Sequence, residues 1–284
     1  MTAETQVLAE SVVAGPAPVR RGVSPGQRRL LLNLASFAAI FLVWFGVTGA
    51  GIGRPLVAPV FLPSPAQVFS TFWTLFQEGY QGKSLGQHLS ISLFRFGVAF
   101  ALSIVIAVPL GLLMGMHEVV KSICDPPIEI TRPMPKLALL PLLIIWFGIG
   151  EVSKVIIIAL ALFPILSISA MQAVRGVSRR KIQAALSLGA NRRTVFLKVI
   201  LPASLPGIFT GVRVCIGLGV TMLVGAEMVA TSSGVAWMAL SAADFLLTNV
   251  VLVAVIIMAT LGYGLDQLAR FAEGRIVHWS GKDV

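Results

Sequence analysis

Residues 96–116 read FGVAFALSIVIAVPLGLLMGM, a run without one charged side chain. A bilayer core about 30 Å thick asks a helix for about 20 consecutive, mostly apolar residues, and this run meets that length. The rest of the chain has the same texture. Of 284 residues, 56% are hydrophobic and 12% charged, with a mean hydropathy of +0.90. Soluble domains carry about 25% charged residues. A chain of this size folded in water exposes a large share of its surface, and this one lacks the polar residues to cover it. That excludes an ordinary soluble enzyme, a disordered chain and a disulfide-rich secreted module. Cys124 and Cys215 sit in no Cys-x-x-Cys or Cys/His pattern, so they read as small hydrophobes and not as metal ligands.

Six apolar stretches are candidate spans: 30–52, 88–116, 126–150, 152–172, 204–228 and 245–268. A polar arm over 1–29, containing Pro and Gly, is expected to be disordered, and 273–284 forms a tail. The transmembrane domain is therefore 30–272. The first span is too long for a signal peptide and no A-x-A site follows it, so it reads as an uncleaved anchor. The net charge of +10 is a topology signal. With six crossings, Arg20, Arg21, Arg28, Arg29, Lys121, Arg175, Arg179, Arg180, Lys181, Arg192, Arg193, Lys198, Arg270, Arg275 and Lys282 share one side. Arg54, Lys83 and Lys154 take the other. The positive-inside rule then puts both termini and the 173–203 loop in the cytoplasm. On the outside, Ser64-Pro65 reads as a helix start, followed by Val68, Phe69, Phe72, Trp73 and Phe76 at helical spacing. This helix either packs on the bundle or lies in the outer interface.

The 173–203 loop is basic and regular. Its pattern predicts a helix over 181–188, a stop at Gly189, a second short helix over 191–200, and proline punctuation at Pro202 and Pro206. A helix–Gly–helix element lying across a membrane face can enter a groove on a partner. It can also rest on lipid headgroups, with arginines on phosphates.

Gln183-Ala184-Ala185, then Gly189, then Val199-x-Leu201-Pro202, resembles the EAA loop of ABC importer permeases. The spacing fits fully, with Gln183 in place of Glu and Val199 in place of Ile. The stretches DPPIEITRPMP (125–135), LLPLLIIWFGIGE (139–151), ILPASLPGIFTG (200–211) and ADFLLTNVV (243–251) resemble the nitrate/sulfonate/taurine branch. So do Pro63-Ser64-Pro65 and Gly225-Ala226-Glu227-Met228. The similarity runs from about 36 to 279 and leans to the taurine and aliphatic-sulfonate permeases. It implies an all-α transmembrane protein with the six-helix type I ABC importer permease fold and a cytoplasmic coupling-helix loop. Arg180, Gln183, Ala184, Ala185, Leu188, Gly189, Ala190, Leu201 and Pro202 would then meet the ATPase partner.

Ionisable groups at membrane depth mark function by default. Arg95, Arg132, Arg213 and Glu227 are the candidate pathway or gate residues. Arg95 and Arg213 could offer a charge to an anionic substrate, or could pair with Glu227 or a helix carbonyl as a structural clasp. Glu129 and Arg132, three apart, are expected to pair. Pro133 and Pro135 break the third span, freeing carbonyls that must line a cavity or lie buried in protein, as a hinge near a gate, a simple kink or a re-entrant start. Gly111-x-x-x-Gly115 could bring helices close, a weak signal by itself. Gly82-Lys83-Ser84 lacks the first glycine of a phosphate-binding loop, and the three histidines (His88, His117, His278) are scattered. No catalytic or metal-binding set emerges.

The resemblance implies a permease subunit with no cofactor of its own, in the bacterial inner membrane. Its partners would be a second copy of itself, two cytoplasmic ATP-binding cassette subunits carrying ATP and Mg, a periplasmic solute-binding protein and the lipid bilayer, with no nucleic acid. The implied cargo is a small organic sulfonate such as taurine. Nitrate, bicarbonate or a pyrimidine precursor on the same architecture is the alternative. A stand-alone channel or membrane enzyme is a further one.

Overall fold

The structure, a computed structural model, describes residues 25–49, 55–229 and 231–279. It divides into two compact units, Met1–Pro59 and Val60–Val284. In the first unit, α1 spans Pro25–Val47. Residues 25–29, expected in the disordered arm, are thus helical: proline's fixed φ suits the first turn of a helix. Residues 1–24 lie outside the described residues. The expected span over 30–52 ends early. Thr48 Oγ1 donates back to the carbonyls of Trp44 and Phe45, and Gly49 turns the chain with φ +67°.

The second unit holds α2 (Pro65–Glu78), α3 (Leu85–Met116), α4 (Glu118–Thr131), α5 (Lys136–Phe147), α6 (Glu151–Arg175), α7 (Arg179–Ser187), α8 (Arg192–Glu227), α9 (Val235–Asp244) and α10 (Thr248–Ile276). Capping boxes start α2 (Ser64 with Gln67) and α3 (Ser84 with Gln87). In α2, Val68 and Leu75 point inward, while Phe69, Trp73 and Phe76 are exposed.

α3, α6, α8 and α10 are long and apolar enough to cross a membrane. α6 is the central one. Half of its apolar window is buried, against 28% for α3 and α10, and it packs on α3 along one side and α8 along the other. The α3–α6 seam is close because Gly111 and Gly115 face it. A Cβ on Gly111 would strike the Ser167 carbonyl, and one on Gly115 would come within 2.6 Å of Val174 Cβ. The Gly-x-x-x-Gly pattern is therefore a true packing motif.

The break expected at Pro133 and Pro135 is present, and two other expectations need correction. The third span over 126–150 is not a single helix. It is α4 and α5, meeting at 89° across 132–135. Pro133 and Pro135 cannot donate to a helix ladder, and they also restrict the residues before them. The second loop helix, expected over 191–200, does not stop at Pro202. It runs through a π-helical segment, Phe196–Ile200, straight into the membrane helix. There Leu201 N–H reaches the Phe196 carbonyl five residues back, a wider turn that makes room for a proline ring without breaking the rod. Finally, α10 extends to Ile276, so the first residues of the expected tail are helical.

Candidate functional site

Arg95 and Arg213 sit in two separate clusters of described ionisable groups. The first forms where α3 begins, α6 begins and α8 ends. Arg95 is 1% exposed, and every polar edge of its guanidinium is used. Nη1 donates to Glu227 Oε1 at 3.0 Å and to the Ser233 carbonyl at 2.7 Å. Nε and Nη2 donate in parallel to the two oxygens of Glu151, at 2.5 and 2.7 Å. Charge-assisted, bidentate bonds of this kind are the strong ones. Glu227 is fully buried and accepts further from Ser92 Oγ (2.7 Å) and the Ala236 N–H (3.0 Å). Ser92 Oγ in turn accepts the Val235 N–H at 2.9 Å. Gly234 has to be glycine here: its φ is +123°, and a Cβ would fall on the Glu227 carboxyl. The cluster thus ties the start of α9 to α3 and α8.

His88 extends it. Its Nδ1 accepts the Gly234 N–H at 3.2 Å, which leaves Nε2 as the donor to the Tyr80 carbonyl, also 3.2 Å away. Its ring stacks on Trp237 at 5.7 Å. Lys154, buried one turn into α6, folds back onto the carbonyls of Ile149 and Gly150.

The second cluster joins α8 to α10. Arg213 Nε donates to Asp266 Oδ1 at 3.1 Å, and its Nη1 lies 3.8 Å from Glu273 Oε2. Asp266 also accepts from Arg270. Arg213 is 30% exposed, so this pair is far wetter than the Arg95 cluster. Of the partners offered by sequence, Glu227 goes to Arg95 and not to Arg213.

Arg132 and Glu129 are both exposed, and no ion pair joins them among the described residues. An exposed pair at this spacing is worth a few tenths of a kcal/mol and gives way to solvation. The carbonyls freed by the proline break are taken by Lys136 instead. Its Nζ donates to the carbonyls of Thr131 and Met134, and more weakly to that of Arg132.

Beyond the far end of α6, α7 carries no buried residue and packs on the start of α8. Arg180, Gln183, Ala184, Ala185 and Leu188 lie on it or at its end. Gly189 follows with φ +80°, and the Ala190 N–H closes back on the Ala185 carbonyl at 3.1 Å. Asn191 then caps α8 by accepting from Thr194 N–H at 2.8 Å. Leu201 and Pro202 lie just past the π-helical segment.

Sequence reading missed Glu151, Lys136, Asp266 and Glu273. Glu151 was hidden by its place at the edge of a span. Asp266 and Glu273 are seven apart, two turns on one helix face, and that spacing was the available signal.

Residues 107–278 match the family described as binding-protein-dependent transport system inner membrane component. The taurine transport system permease protein of Escherichia coli is 39% identical over 259 residues, covering 91% of this chain and 93% of that one. A putative aliphatic sulfonates transport permease protein of Bacillus subtilis is 34% identical over 257 residues, with 90% of each chain covered. Among solved structures, a chain of the inward-facing MetNI methionine ABC transporter superposes with a TM-score of 0.54 at 21% identity, covering 68% of this chain and 94% of that one. With its apolar crossing helices and this breadth of match, the chain belongs to the binding-protein-dependent transport system inner membrane components, as an ABC importer permease of the nitrate, sulfonate and taurine branch.

Proposed function

We propose that this permease is the membrane-spanning subunit of an ATP-driven importer of small organic sulfonates, taurine first among them. The observation that carries the reading is the 39% identity to a taurine permease across nine-tenths of both chains. In the working assembly two copies pair about a two-fold axis, because the helices of one chain are few to enclose an aqueous path. Both termini face the cytoplasm, in keeping with the lysine and arginine asymmetry. Two ATP-binding cassette subunits dock on α7, Gly189 and the start of α8, and a periplasmic solute-binding protein delivers cargo at the opposite face.

The shape of α8 gives the coupling a physical route. One helix of 36 residues joins the docking loop to Glu227, roughly 54 Å at 1.5 Å per residue. Closure of the ATPase pair pushes on Arg192–Val195, and a continuous rod passes that displacement to the Arg95 cluster. Rigid-body rocking of this sort is a common form of switching. Proteoliposomes containing the permease, its ATPase subunits and the loaded binding protein test the reading. Taurine is expected to accumulate only with ATP. ATP hydrolysis stimulated by nitrate or bicarbonate, and by no sulfonate, would overturn the substrate assignment.

A further inference from the structure

The Arg95 guanidinium has two unlike sides. On one, Nη1 is bedded in groups that are themselves buried, Glu227 at 0% and Ser233 at 7% exposure. Glu227 is fixed there independently of Glu151, by Ser92 and the Ala236 N–H. On the other side, Nε and Nη2 present a flat two-donor edge, and its sole occupant among the described residues is the Glu151 carboxylate. That carboxylate is 48% exposed. Its recorded bonds come from Arg95 alone, so a side-chain rotation suffices to withdraw it. Glu151 also follows Gly148 and Gly150, neither of which has anything near the position a Cβ would occupy.

We infer that the Nε/Nη2 edge of Arg95 is an oxyanion subsite of the transport path, and that Glu151 is its internal ligand. In this structure Glu151 fills the edge and closes it. When Glu151 swings out, two oxygens of a substrate sulfonate take the same two N–H donors in the same bidentate manner. Glu227 stays on Nη1 throughout, so the guanidinium keeps a counter-charge in both states and is never left buried and unpaired. The return of Glu151 expels the bound anion, which prevents a strong site from becoming a trap. This rests on the proposed function for the identity of the anion, and on the geometry alone for the exchange.

The test is equilibrium binding to the full-length permease in lipid nanodiscs, with radiolabelled taurine, ethanesulfonate, nitrate and bicarbonate as probes. An internal ligand that holds the edge nine-tenths of the time weakens apparent affinity about tenfold. Glu151→Gln should therefore bind sulfonate about tenfold more tightly than the unsubstituted protein. The gain should vanish in Glu151→Gln/Arg95→Lys, where a positive charge remains for Glu227 but the two-donor edge is gone. Rescue in transport is the wrong direction to expect: Glu151→Gln should lower KM and turnover together, because release slows. An unchanged affinity for every anion, in a protein that still elutes intact, overturns the inference. So does a gain that persists with Arg95→Lys, since the anion then sits elsewhere. A gain for nitrate or bicarbonate and not for either sulfonate supports the exchange at Arg95 and removes sulfonate as the cargo.

Discussion

Arg95 and Arg213 look alike in sequence, each a lone cation in an apolar span, and the structure separates them by burial. Removing Arg95 leaves Glu227 fully enclosed without its counter-charge, a loss of roughly 3–5 kcal/mol for a broken buried pair. Arg95→Met is therefore expected to lower the thermal midpoint and the yield of intact protein. Arg213→Met leaves Asp266 with Arg270 at 2.8 Å and water within reach, so it should purify normally. Differential scanning fluorimetry of the two variants in one detergent checks the order, and equal midpoints would contradict it. Gly189 poses a backbone question. Nothing lies within 4 Å of the position its Cβ would take, so only φ +80° resists substitution. Gly189→Val should strain the turn by about 1–2 kcal/mol, the usual toll of a left-handed conformation on an L side chain. Gly189→Asn, whose side chain tolerates that region, should be nearly silent. Uptake and stimulated ATP hydrolysis are expected to fall for Val and hold for Asn, with membrane insertion unchanged in both. The need for glycine at 189 was legible from the helix on either side of it. That Arg95 would choose Glu227, 132 residues away, was not, because partner choice is decided by which helix ends meet.

Hydropathy located α3 and α6 to within three residues at each end, since lipid imposes length and apolarity directly, but it put the start of α8 twelve residues late and the end of α10 eight residues early. It could not foresee the break between α4 and α5 as a right-angle turn, or Lys136 as the donor that satisfies it, because both depend on where the chain goes next. α9 was missed for a related reason. Ten residues, VAWMALSAAD, are too short to span and lie between two longer signals. At the helix–helix level the glycine seam yields a sharp contrast. Gly111→Ala and Gly97→Ala each raise intrinsic helix propensity by roughly 0.5–1 kcal/mol. At Gly97 the added methyl meets nothing within 4 Å. At Gly111 it meets backbone, the Ser167 carbonyl, which cannot rotate away, and overpacking of this kind costs about 1–3 kcal/mol. Gly97→Ala should thus be neutral or mildly stabilising and Gly111→Ala destabilising, as read by thermal unfolding of the purified variants. Equal behaviour would mean that α3 and α6 do not meet along this seam.

The orientation of the whole molecule can be argued from one helix. Ser178 precedes α7 and Ser232 lies between α8 and α9; both are exposed. Between them stand only α7, which carries no buried residue, and α8, the crossing helix. If α8 crosses once, the two serines lie on opposite faces whichever way the chain is inserted. The charges then choose the direction: Arg175, Arg179, Arg180, Lys181, Arg192, Arg193 and Lys198 cluster at the Ser178 end, and the Ser232 loop has none. Holding positive loops in the cytoplasm makes the Ser178 end internal. The experiment is labelling with a membrane-impermeant maleimide in a background without Cys124 and Cys215. Ser232→Cys should react in intact cells, and Ser178→Cys only once the cytoplasmic face is opened. The reverse pattern would leave the crossing of α8 intact and overturn the orientation. Reaction of both from outside would overturn the crossing itself, and with it the rod that links the docking loop to the Arg95 cluster.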